Sequence, residues 1–213
     1  MIRKSLVQSI KELIFSQKCP ICKKLSQRGF YICDSCYRKL KKKGTLKNIG
    51  NYYYLYYYEI DIKNLIADFK LKNRKELGME IANLIKKDLK NLIEEKDIEV
   101  VLPVPISIER ERERGFNQVE ELLNNCNIEY QKIYREKNTK HMYELFDKKT
   151  RKENIFNAFK TRELDLQNKN ILIVDDIVTT GSTIKEMIKE IKKVSSPKNI
   201  YIFSLAISRR FKQ

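Results

Sequence analysis

The sequence predicts an α/β protein, a mostly parallel sheet flanked by helices, with a small cysteine knuckle at its N-terminal end. Three observations carry that reading. Ile171-Leu172-Ile173-Val174 runs directly into Asp175-Asp176, a hydroxyl-rich turn and a helical pattern at Ile184, Met187, Ile188 and Ile191, so strand, turn and helix follow without a linker. Strands alternate with helices from residue 98 onward, which argues for parallel pairing and a ligand at the carboxyl ends of the strands. Cys19-Pro20-Ile21-Cys22 and Cys33-Asp34-Ser35-Cys36 form two C-x-x-C pairs separated by ten residues, each able to grip one edge of a tetrahedral metal.

A chain of 213 residues can bury a full core, most naturally as one α/β domain with an appendage. The division expected is 1–45 for an N-terminal helix and knuckle, and 46–213 for the α/β domain. The formal charge is +16, and the first 50 residues hold thirteen Lys and Arg against Glu12 and Asp34, a net +11. That concentration points to a polyanion such as nucleic acid; a general lysine bias explains the number of lysines but not their clustering. No secretory signal is visible. Ile2, Leu6, Ile10, Leu13 and Ile14 form a helical stripe broken by Lys4 and Lys11, and no apolar run approaches a membrane span. A cytoplasmic address with reduced thiols is expected.

In chain order, the knuckle comes first. Without a signal peptide a disulfide pair is disfavoured, and Cys19, Cys22, Cys33 and Cys36 read as ligands of Zn²⁺. Four thiolates leave no open position, so the metal is structural rather than catalytic. Cys126, far from these, reads as a small buried hydrophobe. Lys41-Lys42-Lys43-Gly44 reads as the hinge to the main domain, either a phosphate-contacting patch or a solvated turn. Tyr52 to Tyr58 holds six tyrosines and reads as a strand whose rings pack at the domain edge, with base stacking as the alternative.

Residues 61–95 give two helical segments, through Leu65, Ile66 and Phe69 and then from Leu77 to Leu92, separated by the basic turn Lys70-Leu71-Lys72-Asn73-Arg74. A strand over Ile98–Val104 leaves the sheet at its prolines, followed by the loop Pro105-Ile106-Ser107 and by Arg110, Arg112 and Arg114. The alternating Arg and Glu here are either anion ligands or a self-paired helix face. Ile128 to Tyr134 reads as a short strand. The polar stretch from Arg135 to Phe159, with Thr139, Arg151 and Asn154, suits a flap over a site, and it carries the single histidine, His141, a weak candidate base.

The turn after Asp176 has the chemistry of a phosphate cradle. Gly181 permits positive φ and close backbone approach, amides at the start of a helix favour an anion, and Thr179, Thr180, Ser182 and Thr183 supply hydroxyl donors. Asp175 and Asp176 need another task, either hydrogen-bonding sugar hydroxyls or holding Mg²⁺, so a sugar phosphate suits both halves. A Walker A loop is excluded because Lys185 falls too late.

This stretch resembles the phosphoribosyl pyrophosphate (PRPP) motif of type I phosphoribosyltransferases. Taken with the Cys₄ knuckle, Pro103-Val104-Pro105-Ile106-Ser107, Arg112-Glu113-Arg114-Gly115-Phe116-Asn117-Gln118, Arg151-Lys152-Glu153-Asn154 and Ala158-Phe159, it is similar to the ComF family, with one departure at Met142, where the family usually has glutamine. The resemblance implies a type I phosphoribosyltransferase-like fold, a cytoplasmic zinc protein, and handling of incoming single-stranded DNA in natural competence. A competence DNA-translocating ATPase is an implied partner. It further implies PRPP and Mg²⁺ as ligands. Asp175 and Asp176 would hold the ribose and stabilise charge at C1, residues 179 to 183 the 5-phosphate, and Pro105, Ile106, Ser107 and Arg114 the pyrophosphate, with the Lys72/Arg74 region as the alternative to Arg114 for balancing the leaving group. The alternatives are a non-catalytic DNA-binding competence factor that only senses PRPP, and a zinc-stabilised adaptor.

Overall fold

A computed structural model of the chain describes residues 17–27, 29–71, 74–135, 159–160 and 164–212. The N-terminal stripe and nearly all of the expected flap, including His141, Met142, Arg151 and Asn154, lie outside the described residues.

The knuckle opens the described chain and leads into helix α1 (Asp34–Lys43). A hairpin of β1 (Lys47–Ile49) and β2 (Tyr52–Tyr57) follows, then α2 (Ile60–Phe69) and α3 (Leu77–Glu95). After them come β3 (Val100–Pro103), α4 (Ile108–Arg114), α5 (Gln118–Cys126), the two-residue pair β4 (Tyr134–Arg135) and β5 (Phe159–Lys160), β6 (Asn170–Val178), α6 (Ser182–Val194) and β7 (Asn199–Ile207).

The main sheet has the order β1-β2-β7-β6-β3, with every pair parallel except the β1–β2 hairpin. β6 is buried on both faces, as its unbroken apolar run predicts. Alternation along it divides the core: Ile171 and Ile173 pack with Ile184, Met187 and Ile191 of α6, while Leu172 and Val174 pack with α2, α3 and α5. Pro103 ends the edge strand β3, where its missing N–H costs no ladder bond, and Val104 continues alongside β6 by donating to Val174 O at 2.8 Å.

The knuckle is not set apart from this core. Cys19, Tyr31, Ile32, Cys36 and Leu40 belong to the same apolar cluster as Leu55, Ile62, Phe69 and Ile81. Glu80 of α3 accepts the amides of Tyr31 at 2.7 Å and Ile32 at 2.9 Å, and Tyr56 Oη donates to Leu40 O at 3.0 Å. Gly44 permits this approach, since a Cβ there would lie 2.4 Å from Tyr56 Oη.

Several local expectations change. Lys41, Lys42 and Lys43 form the exposed last turn of α1 rather than a hinge, because the second C-x-x-C pair starts a helix that Gly44 ends by donating to Leu40 O. The Arg/Glu run takes the helical one of its two readings, a short exposed helix, α4, capped by Ser107, whose Oγ accepts from Arg110 N at 3.3 Å. Residues 128–133 are irregular: Asn127 in the left-handed region turns the chain out of α5, and only Tyr134–Arg135 is strand. Strand β1 escapes the sequence because three mostly polar residues carry no alternation.

Candidate ligand site and metal centre

The sheet's parallel strands deliver their carboxyl ends to one edge, and the chemistry collects there. Ile177 to Ile184 and Asp175 line a shallow recess formed by the turn between β6 and α6. Gly181 is in the left-handed region (φ 71°), which turns the chain so that α6 begins at Ser182. The first-turn amides of a helix have no intrahelical acceptor and attract an anion. Here Thr180 Oγ1 stands in front of them, 3.4 Å from Ser182 N and 3.0 Å from Ser182 Oγ.

Phe211 supports this turn from beneath. Its ring is buried, lies 4.7 Å from the Tyr52 ring and would meet a Cβ on Gly181 at 2.9 Å. Ser208 N donates to Val178 O at 2.8 Å and Phe211 N to Ser208 O at 3.0 Å, so the tail after β7 folds directly under the loop. Neither contact is visible in the sequence, where Phe211 is only an aromatic near a basic end.

Strand alternation sends the two acids to different sides. Asp175 follows Ile171 and Ile173 toward α6 and lines the recess, whereas Asp176 follows Leu172 and Val174 toward α2. Burial, reinforced by the neighbouring Asp176 charge, holds the Asp175 carboxyl well above the usual carboxylate range; the Asp176 amide, which donates to Asp175 Oδ1 at 2.8 Å, and Lys70 oppose that shift.

Lys70 is the residue sequence reasoning passed over. It caps α2, and its Nζ lies 2.6 Å from Asp176 Oδ2 in an ion pair that lacks hydrogen-bond angles. Within the basic turn at 70–74 the sequence points to Lys72 and Arg74 as cations for the site, whereas the lysine that meets the acids is Lys70; Lys72 lies outside the described residues. Arg114, at the end of α4, donates to Gln118 Oε1 at 2.7 Å. Burial and the nearby Arg110 lower its pKa, while Asp176 and Glu113 act the other way. Pro105, Ile106 and Ser107 leave β3 beside the end of β6, because β3 and β6 are paired from Val100–Ile171 to Pro103–Val174.

At the knuckle, the Sγ atoms of Cys19, Cys22, Cys33 and Cys36 all lie within 4.8 Å of one another. Tetrahedral thiolates at about 2.3 Å from Zn²⁺ stand about 3.8 Å apart, so the cluster fits such an ion, with Cys22 and Cys33 at 3.5 Å. Burial raises the Cys33 thiol, but hydrogen bonds from Ser35, Cys36 and Cys22 outweigh it and bring it down to about 6, whereas burial and the neighbouring sulfurs push Cys36 up. A metal would take all four sulfurs as thiolates, so its binding releases protons. Cys126 is remote and fully buried, with its pKa pushed up to about 11 by burial, in keeping with a packing role.

Residues 70–207 match the family model described as a phosphoribosyl transferase domain, which begins at Lys70 and ends with β7. The chain belongs to the phosphoribosyl transferase domain family. Its relatives place it in the ComF group of that family. It is 27% identical over 193 residues to competence protein F of Haemophilus influenzae, covering 82% of this chain and 77% of that protein. It is 29% identical over 175 residues to competence protein ComFC of Bacillus subtilis (78% and 68%), and 26% identical over 178 residues to the DNA utilization protein YhgH of Escherichia coli K12 (79% and 75%). Among solved structures, an adenine phosphoribosyltransferase covers 80% of this chain and 89% of its own at 14% identity and a TM-score of 0.40. No helix among the described residues is long and apolar enough to cross a membrane.

Proposed function

We propose that this ComF-group protein binds PRPP with Mg²⁺ at the β6–α6 corner, and that it acts as a phosphoribosyltransferase in the handling of incoming single-stranded DNA. The observation that carries this is the junction itself, in which Asp175 lines the same recess as the Thr179–Thr183 turn while Asp176 faces Lys70 on the other side.

Residues Thr179, Thr180, Gly181, Ser182 and Thr183 receive the 5-phosphate, whose oxygens replace Thr180 Oγ1 before the α6 amides. Asp175 and Asp176 take the ribose hydroxyls, and their carboxylate oxygens are suitable donors for Mg²⁺. Bound Mg²⁺ would supply charge neutralisation for departing pyrophosphate. The loop Pro105, Ile106 and Ser107 flanks that group, with Arg114 and Lys70 as its cations. Release of pyrophosphate builds positive charge at C1, which the acid pair stabilises, while an acceptor approaches from the solvent side.

Zn²⁺ at Cys19, Cys22, Cys33 and Cys36 serves architecture, fixing α1 so that Lys41, Lys42 and Lys43 project as an exposed basic turn. That turn, with the charge of the N-terminal region, is the surface offered to single-stranded DNA, in keeping with relatives named for competence and DNA utilization.

Calorimetric titration of PRPP with Mg²⁺ tests the site: binding is expected for the wild type and lost in Asp175→Ala/Asp176→Ala. No binding to the wild type overturns the reading. Pyrophosphate release in the presence of single-stranded DNA or free bases then separates a transferase from a protein that only senses PRPP. Reversing Lys41, Lys42 and Lys43 to Glu should flatten the salt dependence of single-stranded DNA binding by about 0.7 log units per neutralised contact; an unchanged slope leaves these lysines as solvated surface.

A further inference from the structure

Arg74 lies between the cysteine knuckle and the segment that carries Lys70 to the proposed ligand site. Arg74 sits just before α3 and is half-buried. Its Nη1 donates to Gln17 Oε1 at 2.8 Å, and its guanidinium lies 4.9 Å from the centre of the Tyr31 ring. Both partners are built into the knuckle. Gln17 O accepts the amide and hydroxyl of Ser26, each at 2.8 Å, closing the loop that carries Cys19 and Cys22. Tyr31 precedes Cys33 by two residues, is held by Glu80 through its amide, and reaches Glu76 Oε2 at 3.3 Å through its hydroxyl.

The same Nη1 also lies 3.8 Å from Asp68 Oδ2, a buried oxygen with no hydrogen-bond partner among the described residues. Among the described residues Arg74 is the cation paired with that oxygen, and without it the buried side of a half-buried carboxylate loses this compensation. Asp68 is in the last turn of α2, two residues before Lys70, and Leu71 N donates to Asp68 O at 3.1 Å. Lys70 then meets Asp176. A continuous series of contacts thus runs from the cysteines through Gln17 and Tyr31 to Arg74, then through Asp68 to Lys70 and the acid pair.

We propose that Arg74 is a positioning residue that couples metal occupancy of the knuckle to PRPP binding. The inference rests on the reading of the β6–α6 corner as a PRPP site. With the metal in place, Gln17 and Tyr31 are fixed and hold the guanidinium against Asp68, which keeps the end of α2 and Lys70 in register with Asp176. When the knuckle loosens, Arg74 loses two of its three partners and Lys70 loses its support. Binding linkage is reciprocal, so PRPP must in turn tighten the knuckle's hold on its metal.

The test is an equilibrium competition for Zn²⁺ between the full-length zinc-loaded chain and a colorimetric chelator, with and without saturating PRPP and Mg²⁺. Wild type should hold zinc about fivefold more tightly with PRPP present. In Arg74→Gln that ratio should fall to one, and Arg74→Lys, which keeps the charge but not the fork, should restore only part of it. Gln17→Ala is the milder variant, removing the knuckle-side hydrogen bond alone, and should reduce the ratio while still binding PRPP. A merely structural arginine would weaken zinc equally in both conditions and leave the ratio unchanged, which would overturn the proposal. So would a wild-type ratio of one in a protein that binds PRPP by calorimetry. Failure of the wild type to bind PRPP at all sinks the parent reading and this inference with it.

Discussion

The Phe211 ring occupies the space that a side chain on Gly181 would need: a Cβ built there meets Phe211 Cε2 at 2.9 Å. The glycine is thus fixed twice, by its left-handed backbone and by the ring beneath it. Turn and tail form one unit, so the shape of the proposed phosphate cradle depends on a residue 30 positions away in sequence.

Phe211→Ala should cost about 3 kcal/mol, the lower range for removing a buried aromatic side chain, and should weaken PRPP binding by releasing the turn. Gly181→Ala should cost about 1–2 kcal/mol from the backbone alone, before the ring is displaced. Urea unfolding gives the stability, and PRPP titration the affinity. Wild-type affinity in Phe211→Ala would show that the ring does not shape the loop.

Asp175 sets a stability that falls with pH. Its folded-state pKa is raised, chiefly by burial, so the folded chain holds this proton more tightly than the unfolded one. The associated stability is fully present below about pH 4, the ordinary aspartate value, and is lost as pH rises through the higher folded value. Asp175→Asn should therefore match the wild type in acid and become progressively more stable toward neutral pH, while losing PRPP binding. Parallel melting curves for the two proteins across this range would contradict the raised pKa.

The metal centre predicts a division among the cysteines. Cys22→Ser/Cys33→Ser should lower zinc from about one ion per chain to near zero, together with a lower melting temperature, since the knuckle shares the core of α2 and α3. Cys126→Ala should keep the metal and cost about 1 kcal/mol through packing. Metal analysis by mass spectrometry, paired with thermal melts, distinguishes these outcomes.

Glu80 anchors the knuckle through two backbone amides. Glu80→Gln keeps the shape but turns one acceptor into a donor facing an amide, so one buried N–H is left unpaired at a cost of about 1–3 kcal/mol. Urea unfolding should show it, and hydrogen exchange at Tyr31 and Ile32 should accelerate. An unchanged exchange rate at both amides would mean that the anchor lies elsewhere.

Local sequence carried much of this site. The Ile171–Val174 run, the acids after it and the glycine of the turn are contiguous, so strand, cradle and helix could be read from neighbours alone. The four cysteines were legible for the same reason, because spacing along a short loop is nearly spacing in space. Lys70 was not legible. Its partner is more than a hundred residues away, and adjacent basic residues in the same turn are equivalent by composition. The Arg74 contacts with Gln17 and Tyr31 were equally hidden, and Lys41–Lys43 was misjudged because a helix begun at Asp34 outruns the charge pattern.

By itself, then, the sequence determined the kind of chemistry at each locus: an anion-binding turn, a pair of acids, a four-thiolate cluster and a basic surface. These depend on residue type and short-range geometry, which the chain encodes directly. Tertiary structure alone decided which groups meet. Parallel pairing of β6 with β3 and β7 gathers loops from distant segments at one edge, and strand alternation parts Asp175 from Asp176 so that one faces the cradle and the other Lys70. Such meetings follow from packing over the whole core, and no local pattern contains them.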